Sequence, residues 1–196
     1  MTAYPTDDLV PSPFDEKVAP TYDAGSAHMF DPAVLGPTVD VLHELAGSGP
    51  ALELAIGTGR VALPLHERGV EVHGIDFSEA MVAELRSKPG GDRLQVVVGD
   101  MTTTRVGSGY RVAYLVYNTI TNLLTQDDQV ECFRTVAEQL APGGSFVVEG
   151  LRPAAASAAT RAEGGAVPRG GAARRLRHHR RRLAALGVAP LRPDRT

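Results

Sequence analysis

The chain has 196 residues, of which 43% are hydrophobic and 22% charged, a size and composition that suit one domain with a hydrophobic core. Its single cysteine, Cys132, excludes an intrachain disulfide framework. No run approaches the roughly 20 apolar residues of a membrane span, and the first residues, MTAYPTDD, lack the apolar core of a signal peptide. We therefore expect a soluble, cytoplasmic protein.

The net charge of −3 is the sum of two unlike regions. Residues 1–152 carry 10 Lys and Arg against 21 Asp and Glu, a net charge of −11, whereas residues 153–196 carry 10 Arg against two acidic residues, a net charge of +8. The second region contains no Phe, Tyr, Trp, Ile or Met, so it lacks the residues that build strands and cores. We divide the chain into an irregular lead-in (1–20), a folded domain (21–152) and an Arg/Ala/Gly-rich tail (153–196).

Between residues 31 and 149 the hydrophobic pattern alternates between helices and short strands. The predicted elements, in chain order, are a helix from Asp31 to Gly47, a strand Ala51–Ile56, a helix Arg60–Arg68, a strand Val70–Ile75, a helix capped by Ser78, strands Leu94–Val98 and Arg111–Tyr117, a helix capped by Thr125, and a strand Ser145–Glu149. Five strands separated mainly by helices predict an α/β fold. We expect a doubly wound, mainly parallel, Rossmann-like sheet with helices on both faces.

Residues typical of a ligand site follow several of these strands. In such a sheet ligands bind beyond the carboxyl ends of the strands. The turn Gly57-Thr58-Gly59 follows the first strand, and Asp76, which ends the second, is placed to accept the hydroxyls of a ribose. Asp100, after the third strand, either faces an adenine or caps the threonine-rich turn at residues 102–104. Glu53 lies within an apolar run, where a carboxylate needs a partner such as a cationic ligand group.

Four motifs in order resemble the class I S-adenosylmethionine-dependent methyltransferases over about residues 20–151. The motifs are Glu53-Leu-Ala-Ile-Gly57-Thr-Gly59-Arg60, Gly74-Ile-Asp76-Phe-Ser78-x-x-Met81, Gly99-Asp100-Met101 and Leu140-Ala-Pro142-Gly-Gly144. The pattern Gly57-x-Gly59-x-x-Ala62 also fits a dinucleotide site, so a nicotinamide-dependent oxidoreductase stays open, although no Tyr-x-x-x-Lys motif supports it. A third hypothesis is a non-catalytic protein that binds the cofactor.

The resemblance implies that the cofactor is S-adenosylmethionine and assigns a role to each matching position. Glu53 with the turn Gly57, Thr58 and Gly59 would hold the methionyl part, and Asp76 the ribose. Asp100 and Met101 would flank the adenine, Asn118 would line the methionyl and acceptor side, and Tyr22-Asp23 resembles the tyrosine region that closes over the cofactor. Ala55 departs from the family, because many members have glycine there. Thr119-Ile120 departs from the Pro-Pro-aromatic of nucleobase N-methyltransferases and argues against methylation of DNA adenine or of cytosine N4.

Methyl transfer from a sulfonium demands alignment more than charged catalytic groups, so neither a triad nor a metal site is expected. We predict a small-molecule acceptor. If the acceptor needs a base, the candidates are Asp23, His28 and Glu149, each of which is equally typical of a surface or capping group.

The tail does not show the helix and two strands that follow the fifth strand in this family. Its composition is typical of a G/C-rich gene read out of frame, which would impair the enzyme. The rival interpretation is a basic appendage that binds nucleic acid nonspecifically or lies on an anionic membrane, since 174–182 is rich in Arg. Without that helix and those two strands, the sheet would be incomplete at its C-terminal edge. We therefore predict self-association through the exposed edge of the fifth strand.

Overall fold

The computed structural model describes residues 14–150, so most of the predicted lead-in and the whole predicted tail lie outside the described residues. The helices are α1 (Ala19–Gly25), α2 (Pro32–Ala46), α3 (Ala62–Glu67), α4 (Glu79–Ser87) and α5 (Gln126–Gln139). The strands are β1 (Ala51–Leu54), β2 (Val72–Asp76), β3 (Gln95–Val98), β4 (Tyr110–Leu115) and β5 (Leu140–Val148). Short 3-10 helices span Ala27–Phe30, Gly91–Arg93 and Thr119–Asn122.

The five strands form one parallel sheet in the order β3-β2-β1-β4-β5. The chain runs outward from β1 to β3 and then returns to the other side of β1 to form β4. The strand order therefore reverses between β1 and β4, and in open α/β sheets ligands bind in the crevice at this switch point. The predicted α/β fold with a parallel sheet of about five strands is confirmed.

Helices cover both faces of the sheet, as expected. Side chains of α2, α3 and α4 pack in one cluster of buried apolar residues, and side chains of α5 pack in a second cluster on the strands. Each cluster draws on alternate residues of the strands, because successive side chains point to opposite faces. Within the described residues, β5 pairs only with β4, so its other edge is not covered by a strand.

Several element bounds differ from the prediction; β1 ends at Leu54 rather than Ile56, and β2 begins at Val72 rather than Val70. Strand β4 ends at Leu115 rather than Tyr117, because Tyr117 has a φ of +61° and leaves the extended conformation. Strand β5 begins at Leu140, five residues before the predicted start, and an irregularity in its pairing with β4 takes up residues 141–144. Helix α1 was not predicted; it begins at Ala19, with Pro20 in the first turn, where proline is tolerated.

Candidate functional site

The predicted site residues gather mainly around the turn Gly57-Thr58-Gly59, which joins β1 to α3 at the switch point. Gly57 has a φ of +56° and Gly59 a φ of +83°, a region that side chains other than glycine rarely adopt. A Cβ at Gly57 would meet only the Met81 side chain, at 3.4 Å. The backbone conformation, rather than crowding inside the protein, is therefore what requires glycine at this position.

Asp76, the last residue of β2, fastens the glycine turn to the neighbouring strand. Its Oδ2 accepts a hydrogen bond from the Gly57 N–H at 2.6 Å, and its Oδ1 accepts one from the Ser78 N–H at 2.9 Å. Burial raises the pKa of Asp76, and the backbone hydrogen bonds oppose that rise by favouring the carboxylate. A carboxylate offers about four lone-pair directions, so these two bonds leave acceptor capacity for a ligand.

Glu53 is a carboxylic acid in the middle of the sheet. It is only 2% exposed, and the Tyr114 hydroxyl, from the adjacent strand β4, donates to its Oε2 at 2.9 Å. Burial raises the pKa of Glu53 to about 8, while the bond from Tyr114 and the positive charge of Arg60 oppose the rise. The Glu53 carboxyl is therefore protonated well below pH 8 and half-ionised near pH 8. A cation bound beside it would favour its charged form.

Arg60 is a site residue to which the sequence analysis gave no role. Its charge acts on Glu53, and its guanidinium carbon lies 5.4 Å from the centre of the Tyr117 ring, within reach of a cation–π interaction. Among residues 14–150 it takes part in no ion pair. The sequence signal for Arg60 was its position directly after the glycine turn. This turn follows the carboxyl end of β1, where ligands bind in sheets of this kind.

The carboxyl end of β4 is held by the segment that follows β5. Tyr117 and Asn118 have φ angles of +61° and +55°, and the Tyr117 N–H donates to Glu149 Oε2 at 2.7 Å. The Asn118 Nδ2 donates to the Thr121 Oγ1 at 3.3 Å. Glu149, a candidate base, is therefore engaged in holding the backbone at the mouth of the crevice.

Asp100 caps the turn that follows β3, which was one of its two predicted roles. Its Oδ1 accepts from both the N–H and the Oγ1 of Thr102, at 2.7 and 2.8 Å. Met101 packs against the second core cluster. Phe77, which directly follows Asp76 and is 45% exposed, is an apolar surface at this edge of the sheet to which the sequence analysis assigned no role.

Of the N-terminal candidates, two lie against the site. Burial raises the pKa of the Tyr22 phenol, and its neighbours include Tyr117, Arg60 and Asp76, so Tyr22 lies near the crevice. Asp23 Oδ1 accepts from Thr58 Oγ1 at 2.6 Å, so it contacts the glycine turn itself. His28 is exposed in the 3-10 helix Ala27–Phe30, and no contact of its side chain with the other candidates is seen within residues 14–150.

Membrane-spanning helices and metal-binding clusters are both absent from the described part of the chain. None of its helices is long and apolar enough to cross a membrane. Residues 14–150 also contain no group of three or more His, Cys, Asp or Glu side chains that could hold a metal ion.

Comparison with known proteins finds a methyltransferase domain in residues 51–144. The cypemycin N-terminal methyltransferase of Streptomyces sp is 28% identical over 144 residues, covering 74% of this chain and 58% of the relative. The crystallised CcbJ methyltransferase of Streptomyces caelestis is 36% identical, with a TM-score of 0.63 over 71% of this chain and 58% of its own. The glycopeptide N-methyltransferase MtfA complexed with S-adenosylmethionine is 30% identical, with a TM-score of 0.50 over 57% of this chain and 48% of its own.

The chain thus spans about half to three-fifths of the length of these relatives. The matched domain contains the glycine turn, Glu53, Asp76 and strands β1 to β4. These findings together identify residues 51–144 as a methyltransferase domain and support its assignment to the class I S-adenosylmethionine-dependent methyltransferases.

Proposed function

We propose that the chain binds S-adenosylmethionine at the switch point and transfers its methyl group to an amino group of a small-molecule acceptor. The observation that carries this proposal is the arrangement of charges around the glycine turn. The buried carboxyl of Glu53, the guanidinium of Arg60 and the carboxylate of Asp76 all border the same short segment. They interact electrostatically, since both Arg60 and Asp76 act on the pKa of Glu53.

This set of groups fits the chemistry of the cofactor. Bound here, the cofactor would supply a methyl group on a positively charged sulfur, and its methionyl part carries an ammonium and a carboxylate. Glu53 suits the ammonium and Arg60 the carboxylate, because charge-assisted hydrogen bonds are the strongest available to each. The lone pairs of Asp76 that remain beside its bonds to Gly57 and Ser78 suit the ribose hydroxyls.

The remaining cofactor residues of the sequence analysis fit around these three. We assign Phe77 and Met101 to the adenine, which is flat and apolar on its faces, and Asp100 to its edge. Asp100 keeps Oδ2 for this role, because the bonds seen among the described residues use Oδ1. Thr58 and Gly59 complete the turn, and Asn118 would face the methionyl and acceptor side from the end of β4.

The chain's contribution to the reaction is alignment. In-line displacement at a sulfonium disperses charge, so holding the acceptor and donor in line is the main catalytic demand. Tyr22 and Tyr117 border the mouth of the crevice, where they would exclude water and orient an acceptor. A neutral amine needs no base to react. Glu149 and Asp23, two of the three candidate bases, already accept hydrogen bonds from Tyr117 and Thr58.

The choice of an amine acceptor is supported by the relatives. The glycopeptide N-methyltransferase MtfA is named for transfer to nitrogen, and the name of the cypemycin N-terminal methyltransferase refers to an N-terminus, where peptides carry an amino group. A cytoplasmic location and the domain division at residue 152 also remain proposals. A nonspecific affinity of the tail for nucleic acid is likewise a proposal.

Two alternatives make different predictions. A nicotinamide-dependent oxidoreductase would bring a pyrophosphate to the glycine turn, where the carboxylate of Asp76, which is bonded to the Gly57 N–H, would repel it. A non-catalytic protein would bind the cofactor but would not turn over an acceptor. Binding and turnover therefore have to be measured separately.

The binding test is calorimetric titration with S-adenosylhomocysteine and with NAD. We expect the first to bind and the second not to bind. Arg60→Met should weaken S-adenosylhomocysteine binding by about 1.5–3 kcal/mol, the value of a hydrogen bond to a charged group. Arg134→Met is the matched control, because Arg134 is exposed on α5 and pairs only with Glu131 one turn away. Tight NAD binding, or an unchanged affinity in Arg60→Met, would contradict the assignment.

The turnover test follows methyl transfer by mass spectrometry across matched small molecules that differ only in bearing an amine or a hydroxyl. Methylation of amines supports the proposal in full. Cofactor binding without turnover of any acceptor would favour the non-catalytic alternative, and methylation of the hydroxyl compounds alone would show that the acceptor class is wrong.

A further inference from the structure

A cluster of three polar side chains joins the N-terminal helix to the cofactor turn. We call it the latch: Asp23 on α1, Thr58 in the glycine turn and Lys88 at the C-terminal end of α4. Thr58 Oγ1 donates to Asp23 Oδ1 at 2.6 Å, and Lys88 Nζ donates both to Asp23 Oδ2 and to the Thr58 carbonyl, the latter at 2.7 Å. The ammonium of Lys88 also lies 5.7 Å from the centre of the Phe30 ring.

The three residues of the latch are connected to one another by hydrogen bonds. Each member contacts both of the others, and the three come from segments far apart in the chain. Both carboxylate oxygens of Asp23 are engaged by donors, one of them a cation, so Asp23 is poorly suited to act as a base. The cluster is partly buried: the side chains of Lys88 and Asp23 are 24% and 36% exposed, and Thr58 is 2% exposed.

The segment that the latch fastens also carries Tyr22. Residues 14–30, which we call the strap, contact both ends of α4. The Ser78 hydroxyl at the start of α4 donates to the Phe14 carbonyl, and Lys88 holds the strap at the other end. The Phe14 and Tyr22 rings meet edge to face, with centres 5.8 Å apart. The strap therefore holds Tyr22 beside the crevice from two fixed points.

We propose that Asp23 and Lys88 are positioning residues that control how fast the cofactor enters and leaves the crevice. This inference rests on the proposed function. Thr58 belongs both to the latch and to the turn that would hold the cofactor, so lifting the strap breaks the hydrogen bond between Asp23 and this turn. Breaking the Asp23–Lys88 ion pair raises the fraction of molecules with an open strap, with or without cofactor.

A latch of this kind has a distinctive kinetic signature. If the strap opens before the cofactor passes in either direction, weakening the latch multiplies the association and dissociation rates by a similar factor and leaves Kd nearly unchanged. A residue that touched the cofactor directly would instead raise the dissociation rate and Kd together. A merely structural ion pair would change the free energy of unfolding but neither rate.

The experiment measures both rates with radiolabelled S-adenosylhomocysteine, by rapid filtration for association and by a chase with unlabelled ligand for dissociation. Lys88→Met and Asp23→Asn should each accelerate both rates by about tenfold, the effect of losing a charged hydrogen bond in a partly exposed setting. The double variant should be no faster than either single variant, because both remove the same pair. In the parent protein, but not in Lys88→Met, added salt should also accelerate exchange.

Arg68→Met and Asp40→Asn are the matched controls. Arg68 pairs with Asp40 at 2.6 Å across another helix end, at a site that touches neither the strap nor the glycine turn. Parent-like rates in Lys88→Met and Asp23→Asn, or a rise in dissociation rate matched by a rise in Kd, would overturn the latch while leaving the proposed function intact. Failure of the parent chain to bind S-adenosylhomocysteine would overturn both.

Discussion

The buried carboxyl of Glu53 should make the stability of the chain depend on pH in a direction opposite to that of most acidic residues. Its pKa in the folded chain is about 8, against an ordinary value of 4.5. Between these two pH values the folded state holds a proton that the unfolded state has released. Stability therefore falls as pH rises through this interval and is not lost further above about pH 8.

The magnitude follows from the size of the interval. Each pH unit between the two pKa values costs about 1.4 kcal/mol, so the whole interval amounts to roughly 3–5 kcal/mol. Glu53→Gln removes the ionisable group and keeps an oxygen that can accept the hydrogen bond from Tyr114. Near pH 5 the variant and the parent should differ by less than about 1 kcal/mol, whereas at pH 9 the variant should be more stable by roughly 3–5 kcal/mol.

The assay is urea unfolding followed by circular dichroism at several pH values from 5 to 9. The quantity to plot is the free energy of unfolding of Glu53→Gln minus that of the parent, because contributions from all other titrating groups cancel in this difference. Glu67→Gln, at an exposed glutamate on α3, is the control and should give a flat difference. A flat difference for Glu53→Gln as well would refute the reasoning that burial holds this carboxyl neutral.

Two other predictions follow from the site and from the sheet. Asp76→Ala should weaken S-adenosylhomocysteine binding by about 1.5–3 kcal/mol, measured by calorimetry, because it removes the acceptor assigned to the ribose and the anchor of the Gly57 N–H. An affinity equal to that of the parent would place the ribose elsewhere. The outer edge of β5, which no strand covers among residues 14–150, should promote concentration-dependent self-association in sedimentation velocity, and a monomer at all concentrations would contradict this.

Much of the fold could be predicted because the strands are short apolar runs that end at glycine or acidic residues. The run Ala51-Leu-Glu-Leu54 is entirely buried in the sheet, as its composition indicates. The caps Ser78 and Thr125 were also predictable, since a hydroxyl three residues before a free N–H satisfies it; Ser78 accepts from the Met81 N–H and Thr125 from the Asp128 N–H.

The parts that sequence reasoning missed depend on contacts between distant segments. Helix α1 is only seven residues long, and its proline-rich approach masks it in any local pattern. A contact with a distant segment holds this helix instead, because Asp23 pairs with Lys88, which lies 65 residues later in the sequence. Similarly, β5 begins at Leu140 in spite of Pro142 and two glycines, because the pairing with β4 at Tyr110 starts before the irregularity.

The backbone at the switch point departs from local rules where the proposed site lies. Among residues 14–150 the non-glycine residues with left-handed φ are Ala55, Tyr117 and Asn118, and all three follow β1 or β4, the strands that flank the crevice. Each such residue costs on the order of 1–2 kcal/mol unless surrounding contacts hold it. Tyrosine does not signal this conformation, whereas asparagine tolerates it, and at Ala55 the sign was the glycine that many members of the resembling family have there.

The contacts that offset this strain explain the position of two side chains. The carboxylate of Glu149 accepts the Tyr117 N–H and so holds that residue out of the strand, while Ala55 packs against the second core cluster. With its backbone turned in this way, Tyr117 leaves its ring 45% exposed, within reach of the Arg60 guanidinium. Glu149 therefore helps to hold the backbone at the end of β4, beside the point where strand order reverses. At Tyr117 the left-handed backbone turns the ring away from the line of β4 and towards Arg60, beside the proposed ligand site, which is where stored strain can serve binding.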